Sequence, residues 1–287
     1  MYSIYKKEMR TYFTSISAYL FIGFYLALLG YCIYNTNLAG GYASYAYSMA
    51  STTTIFIMLV PVLTMRIVAE ENHQKTDQLL FTSPVSITKI ILGKYLAMLS
   101  VFGIALLVAC VYPLILGKFG DVNYKVAYMC VFTYLLFGAT YMAIGMFISA
   151  LTESQAIAAI VTFAIAVVTA LISGFEDSIP SDNKTTWYIF AAVFALLMIA
   201  VYFMIKNAVV SVSLGAVGEI VMMILYWKVP TVYDGLTVKV LGSFSIIDRY
   251  YDFVYGELNI ASVVYYITMS ALFVFLTVQA INKRRWS

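Results

Sequence analysis

Charge is what this chain has least of. Only 11% of its 287 residues are Asp, Glu, Lys or Arg, where a soluble domain carries about 25%. A formal net charge of +3, scattered over the whole length, argues against a nucleic-acid partner. The lone histidine, His73, excludes any site that needs two imidazoles. Three cysteines, Cys32, Cys110 and Cys130, have no CxxC spacing and lie in or beside apolar runs. That excludes a disulfide or zinc framework and leaves them as small buried hydrophobes. No GxxxxGK[ST] occurs, so the chain cannot cradle nucleotide phosphates in the P-loop manner. Neither HExxH nor GxSxG is present, which removes the common zinc-hydrolase and serine-nucleophile signatures.

What fills the sequence instead is apolar: 63% of residues are hydrophobic, arranged in successive runs. A bilayer core about 30 Å thick needs roughly 20 apolar residues per helical span. Runs of that length recur near 16–34, 49–66, 89–116, 124–151, 156–174, 187–205, 208–226 and 260–281. The expectation is therefore an all-α polytopic membrane protein of about eight transmembrane helices, forming a single transmembrane domain over 1–287. Before the first run, residues 2–14 place Ile4, Tyr5, Met9, Tyr12 and Phe13 at helical spacing, with Lys6, Lys7, Glu8 and Arg10 on the opposite face. Such a helix suits the headgroup layer, apolar side down. Residues 227–258 are mixed and punctuated by Pro230, Gly235, Gly242 and Gly256. They predict short helices in an extracytoplasmic segment.

Lys and Arg in short loops set the orientation. With the N-terminus inside, eleven basic residues fall on the cytoplasmic side and six outside, accounting for all 17. Both termini are then expected in the cytoplasm. Tyrosines at the predicted span ends, among them Tyr42, Tyr45, Tyr47, Tyr250, Tyr251 and Tyr255, read as interfacial anchors. Glu219 falls inside the seventh predicted run; an ionisable group there faces a cavity or a bundle interior, as a functional residue or as a structural polar contact.

The polar segment 66–86 between the second and third spans predicts a short cytoplasmic helix from Ile67 to about Leu80, ending in Leu79, Leu80 and Phe81. Ser83 and Pro84 then mark a turn into the third span. From its composition this is either a solvated linker or a docking loop.

The residues Met65-Arg66, Ala69-Glu70-Glu71, Thr76, Leu79-Leu80, Thr82, Pro84, Ser86 and Gly93-Lys94 resemble the permease subunits of type-2 ABC exporters, in the subgroup that includes the gliding-motility-associated permease. Ala143-Ile144-Gly145, with Ser149, Leu151, Thr152 and Gln155, is similar to a second stretch of that family. Phe244 to Tyr266, with Arg284-Arg285-Trp286, is a weaker third. The resemblance leaves out about 176–235, where this chain shows two more spans than the six usual in the family. It implies a coupling helix in the loop 66–86, contacting a separate ABC ATPase subunit through Glu70, Glu71, Thr76 and Asp77, with Arg66 and Lys94 framing it at the membrane surface. It implies an interfacial elbow helix at 2–14 and a second permease subunit, identical or paralogous. ATP and Mg would reside on the partner ATPase, leaving this chain without a cofactor or catalytic residue of its own. The further implications are a bacterial plasma-membrane location, an accessory extracytoplasmic protein, and export of a lipid-like or amphipathic substrate. A membrane scaffold or channel component without ATP coupling is the alternative from another class.

Overall fold

A computed structural model describes residues 1–75, 85–175 and 236–286, with scattered positions between 184 and 227. Every regular element among the described residues is helical. One compact unit comprises residues 1–170 and 246–287, and a second comprises 171–245. Six described helical stretches are long and apolar enough to cross a membrane: Ile16–Ala39, Thr53–Gln74, Ile87–Leu116, Tyr124–Leu151, Gln155–Gly174 and Ile260–Arg284. The spans predicted at 187–205 and 208–226, and Glu219 within them, lie almost wholly or wholly outside the described residues.

In the first unit, α1 (Tyr2–Thr14) leads through Ser15 into α2 (Ile16–Ile33), whose last turn widens into a π-helical segment, Tyr34–Ala39. The second predicted span starts earlier than expected and is broken: α3 (Tyr45–Ser51) and α4 (Thr53–Thr64) meet at Thr52. Thr52 Oγ1 donates to the Met49 carbonyl and lies 3.0 Å from the Tyr134 hydroxyl. A threonine bonding back to its own helix competes with the ladder and bends it there. After a turn comes α5 (Ala69–Gln74), then α6 (Ile87–Ala109) and the short α7 (Tyr112–Leu116). α8 (Tyr124–Leu151) coincides with the predicted fourth span, and α9 (Gln155–Phe175) follows. The unit ends with α11 (Asp248–Val254) and α12 (Ile260–Trp286). In the second unit, α10 (Leu236–Phe244) is helical, and Trp187 packs its ring edge-on to Tyr188.

The central element is α8. In its apolar stretch 78% of residues are buried, against 17% in α9. Around it gathers an aromatic core: Phe56 and Phe102 pack at 4.8 Å, Phe137 and Tyr141 at 5.0 Å, and Tyr134 and Tyr250 at 5.4 Å between ring centroids. Gly138 makes room for it, because a Cβ there would lie 2.9 Å from both Phe56 Cζ and Phe102 Cζ and collide with Phe102 Cε1. Tyr45 and Tyr250, expected at the membrane surface, belong to this buried core. The Tyr45 hydroxyl donates to the Ala109 carbonyl, which supplies the partner a buried phenol needs. Tyr42, Tyr47 and Tyr255 are exposed.

Candidate functional site

α5 is built by local rules and then seated by distant ones. Glu70 and Glu71 occupy its first turn, where carboxylates favour the positive end of a helix. It stops at Gln74 because Lys75 takes a left-handed backbone, φ 53°, a conformation costing a non-glycine residue roughly 1–2 kcal/mol. The helix expected from Ile67 to about Leu80 is therefore cut short at its C-terminal side. Of the residues predicted for this site, Thr76, Asp77, Leu79, Leu80 and Pro84 lie outside the described residues.

The start of α5 rests on Ser149 of α8. Ser149 Oγ accepts hydrogen bonds from the backbone N–H groups of Val68 (3.2 Å) and Ala69 (3.0 Å), and donates to the Met65 carbonyl at 3.1 Å. The first N–H groups of any helix lack intrahelical partners; here a side chain some eighty positions along the chain supplies one. Gly145, one turn before Ser149, lets the end of α4 close on α8 just ahead of α5, since a Cβ there would lie 2.7 Å from Thr64 Cβ. Asn72 Nδ2 adds a bond to the Thr152 carbonyl.

On its other side α5 meets a closed alternation of charge. Lys94 Nζ of α6 lies 2.9 Å from Glu71 and 3.0 Å from Glu8, and also donates to the Ile67 carbonyl at 3.0 Å. Lys7 Nζ lies 3.1 Å from Glu71 and 3.6 Å from Glu8. Two ammonium groups and two carboxylates thus face one another in a ring of alternating sign. Lys94 is 2% exposed, buried beneath α1, and Glu8 is 6% exposed. Glu8 therefore belongs to the packed face of α1, not to its solvated face. The hydropathy pattern misplaces it because its partner sits 86 residues away. Burial lowers the proton affinity of Lys7, but the carboxylates of Glu71 and Glu8 outweigh it and hold its ammonium above the ordinary range.

The remaining contacts fix α1 across the top of this ring. Gly93 allows close approach, with Ile4 Cγ2 only 3.2 Å from where a Cβ would be. Tyr5 donates to Ser100 Oγ at 3.0 Å, and the buried Tyr12 hydroxyl donates to the Leu63 carbonyl at 3.0 Å. Arg66 pairs with Glu70 through Nε at 2.9 Å and donates from the same fork to Ser17 Oγ of α2 at 3.0 Å. A cleft of about 300 Å³ opens between α1, α2 and α5, lined by Arg66, Glu70, Glu71 and Lys94 among others. Of the residues predicted for coupling, Arg66, Glu70, Glu71 and Lys94 come together here. Sequence reasoning missed the roles of Glu8, Tyr12 and Ser149. Only Ser149 left a signal, within the second stretch of family resemblance.

Among the described residues no group of three or more His, Cys, Asp or Glu is placed to hold a metal ion. What the arrangement can do is mechanical. α5 is bonded to α1, α6 and α8 at one end of the bundle, so displacement of any one loads the others.

The characteristic pattern of the ABC-2 family transporter proteins matches residues 2–175. Over 159 residues, 54% of this chain, the sequence is 29% identical to the "Probable multidrug ABC transporter permease YbhR" of Escherichia coli K12, and equally to that of strain O157:H7. The match covers 40% of the length of those relatives. No solved structure matches the chain. The chain belongs to the ABC-2 family of transporter proteins, and it is a multi-pass membrane protein.

Proposed function

We propose that this ABC-2 family chain is the transmembrane permease subunit of an ATP-driven exporter, of the gliding-motility-associated type, coupled to a separate ATPase subunit through the loop 66–86. The observation that carries this reading is the seat of α5. A short polar helix at the bundle's end, with the turn before it, is bonded to two long helices, α6 and α8, by buried, directional contacts, as a lever requires and a solvated linker does not. Glu70, held by Arg66 at the cleft's edge, and the residues 76–84 form the docking surface. Glu71 serves inward, joining that surface to Lys94.

ATP and Mg act on the partner, where closure of an ATPase pair moves the loop. For such a push to shift the permease, the loop must bind the ATPase differently in its two states. Moving α5 strains the Ser149 and Lys94 bonds together, so α6 and α8 follow it. Sidedness has a geometric support. Ser149 at α5 and Cys130, whose thiol donates to the Phe253 carbonyl of α11, are 19 residues apart on α8. At 1.5 Å per residue that is about 28 Å, close to a hydrocarbon core of about 30 Å. With α5 and both termini in the cytoplasm, α1 is the interfacial elbow helix and α11 lies in the extracytoplasmic segment. A second permease subunit, identical or paralogous, completes the assembly in a bacterial plasma membrane, with an accessory extracytoplasmic protein as a further partner. The word multidrug in the relatives' name accords with a lipid-like or amphipathic cargo.

The test is co-purification of the tagged chain with its genomic neighbours in detergent, followed by an ATPase assay. Recovery of a P-loop subunit whose turnover falls with Glu70→Gln and Glu71→Gln, in a permease that remains monodisperse, supports the reading. A monodisperse chain that recruits no ATPase overturns it in favour of a scaffold or channel component.

A further inference from the structure

Along its spanning helices the first unit carries a groove of about 650 Å³ that the coupling site does not use. α6 and α12 form its walls and α8 its floor, with Leu92, Leu99, Leu136, Val274, Phe275 and Val278 supplying most of the lining. Its chemistry is sorted along its length. Thr88 of α6 and Gln279 and Asn282 of α12 line one end, and none of them has a hydrogen bond among the described residues. Two polar residues sit farther in, but both are satisfied by the protein itself. The Tyr95 hydroxyl donates to the Ala139 carbonyl, and Ser270 Oγ pairs with Thr140 Oγ1. What they leave facing the groove is carbon.

Dimensions decide what fits. From Ile267 to Asn282 the α12 wall rises about 22 Å at 1.5 Å per residue. Spread over that length, 650 Å³ gives a mean cross-section of about 30 Å². The groove is long and narrow, the shape of a single extended chain. Its apolar part, Ile267 to Val278, is about 16 Å long, close to half of a hydrocarbon core about 30 Å thick. The groove is one leaflet deep. At its polar end the exposed Lys89 follows Thr88 in sequence, and Arg284 holds the nearby Glu153. The charge presented at headgroup level is positive, which favours anionic lipid.

We propose that this groove is a binding site for one acyl chain of a resident anionic phospholipid, its phosphate headgroup lying beside Thr88, Gln279, Asn282 and Lys89. Since α6 also carries Lys94, occupancy stiffens the helix on which α5 is seated. The site itself depends on membrane insertion alone and stands apart from the ATPase assignment.

The experiment places the full chain in phosphatidylcholine nanodiscs containing phosphatidylglycerol with a photoactivatable acyl chain. After irradiation, adducts are mapped by peptide mass spectrometry. Adducts should concentrate on residues 88–99 and 267–282, and unlabelled phosphatidylglycerol should compete better than phosphatidylcholine. Ala271→Trp puts an indole into the groove from an exposed position, and labelling there should fall about tenfold, equivalent to about 1.4 kcal/mol. Lys89→Gln should erase the preference between the two competitors. Adducts spread evenly over exposed apolar faces such as that of α9, unchanged by Ala271→Trp and with the two lipids competing equally, would overturn the proposal. So would protection of the groove accompanied by protein–protein crosslinks, which would make it an interface. The competition arm uses the unaltered chain, so misfolding of a variant cannot decide the result.

Discussion

The two halves of α8 hold the bundle by different physics. Its first half, from Cys130 to Tyr141, meets its neighbours through rings and single neutral hydrogen bonds: Phe56, Phe102 and Tyr250 pack against Tyr134 and Phe137, while Cys130, Thr140 and Tyr141 each bond one helix across, with no charge involved. Its second half, from Gly145 to Ser149, touches a region where ammonium, carboxylate, hydroxyl and backbone groups bond across long stretches of sequence. Ring packing depends on no single contact, because dispersion is shared over many weak ones. A buried ion ring differs, because each charge depends on its partner for the solvation it lost. The aromatic half therefore suits a fulcrum, and the ionic half a linkage that transmits position.

The largest effect that would test this contrast is at Lys94. Replacing it with Met leaves Glu8 and much of Glu71 buried with only the half-exposed Lys7 ammonium between them. Breaking a buried pair from one side costs about 3–5 kcal/mol, so folded yield and thermal midpoint in detergent should both fall sharply. Adding Glu8→Gln to Lys94→Met should recover part of the loss, as removal of the stranded carboxylate demands. A Lys94→Met variant as stable as the parent would dissolve the distinction between the two halves.

Ser149→Ala comes next. It strips the Val68 and Ala69 N–H groups and the Met65 carbonyl of one shared partner. A buried group left unsatisfied costs about 1–3 kcal/mol. Hydrogen exchange at 65–74 should quicken while exchange along 124–141 stays slow. Equal acceleration of both stretches would mean that α8 unfolds as one unit and that the halves are not mechanically separate.

How much of this was legible beforehand follows the same divide. Apolar runs and span lengths are local quantities, and α8 and α9 appear within about a residue of where hydropathy puts them. The break at Thr52 was invisible because threonine is common in apolar helices, and its bend depends on a hydroxyl bonding back to Met49. The Gly93-Lys94 pair was visible as a motif but not as a mechanism. Its reason is that Gly93 admits Ile4 so that Glu8 can reach Lys94, which no window of neighbouring residues reveals. Tyr45 and Tyr250 were misread because an amphipathic ring suits both an interface and a core with a carbonyl to spare. Family resemblance marked Glu70 and Glu71 as one surface; geometry divides them, Glu70 toward Arg66 and Glu71 toward Lys94.

A smaller effect of opposite sign is expected in the aromatic half. The Tyr250 hydroxyl is buried with no hydrogen-bond partner among the described residues. Tyr250→Phe removes that unsatisfied group while keeping the ring against Tyr134 and Phe137. Stability should rise by about 1 kcal/mol, read as a higher thermal midpoint. A loss would show that the hydroxyl carries a bond of its own.

The smallest effect belongs to a polar contact at the ionic end that burial does not strengthen. Arg284 of α12 meets Glu153, in the turn between α8 and α9, at 2.5 Å. By distance alone this pair outranks every contact of Lys94. Its glutamate side chain is 67% exposed, however, and water screens such a pair to about 0–1 kcal/mol. Arg284→Gln should therefore leave the thermal midpoint almost unchanged, and the small difference should vanish in high salt. If Arg284→Gln matched Lys94→Met in cost, proximity rather than burial would govern the ionic end, and the ring at Lys94 would lose its claim to be the linkage.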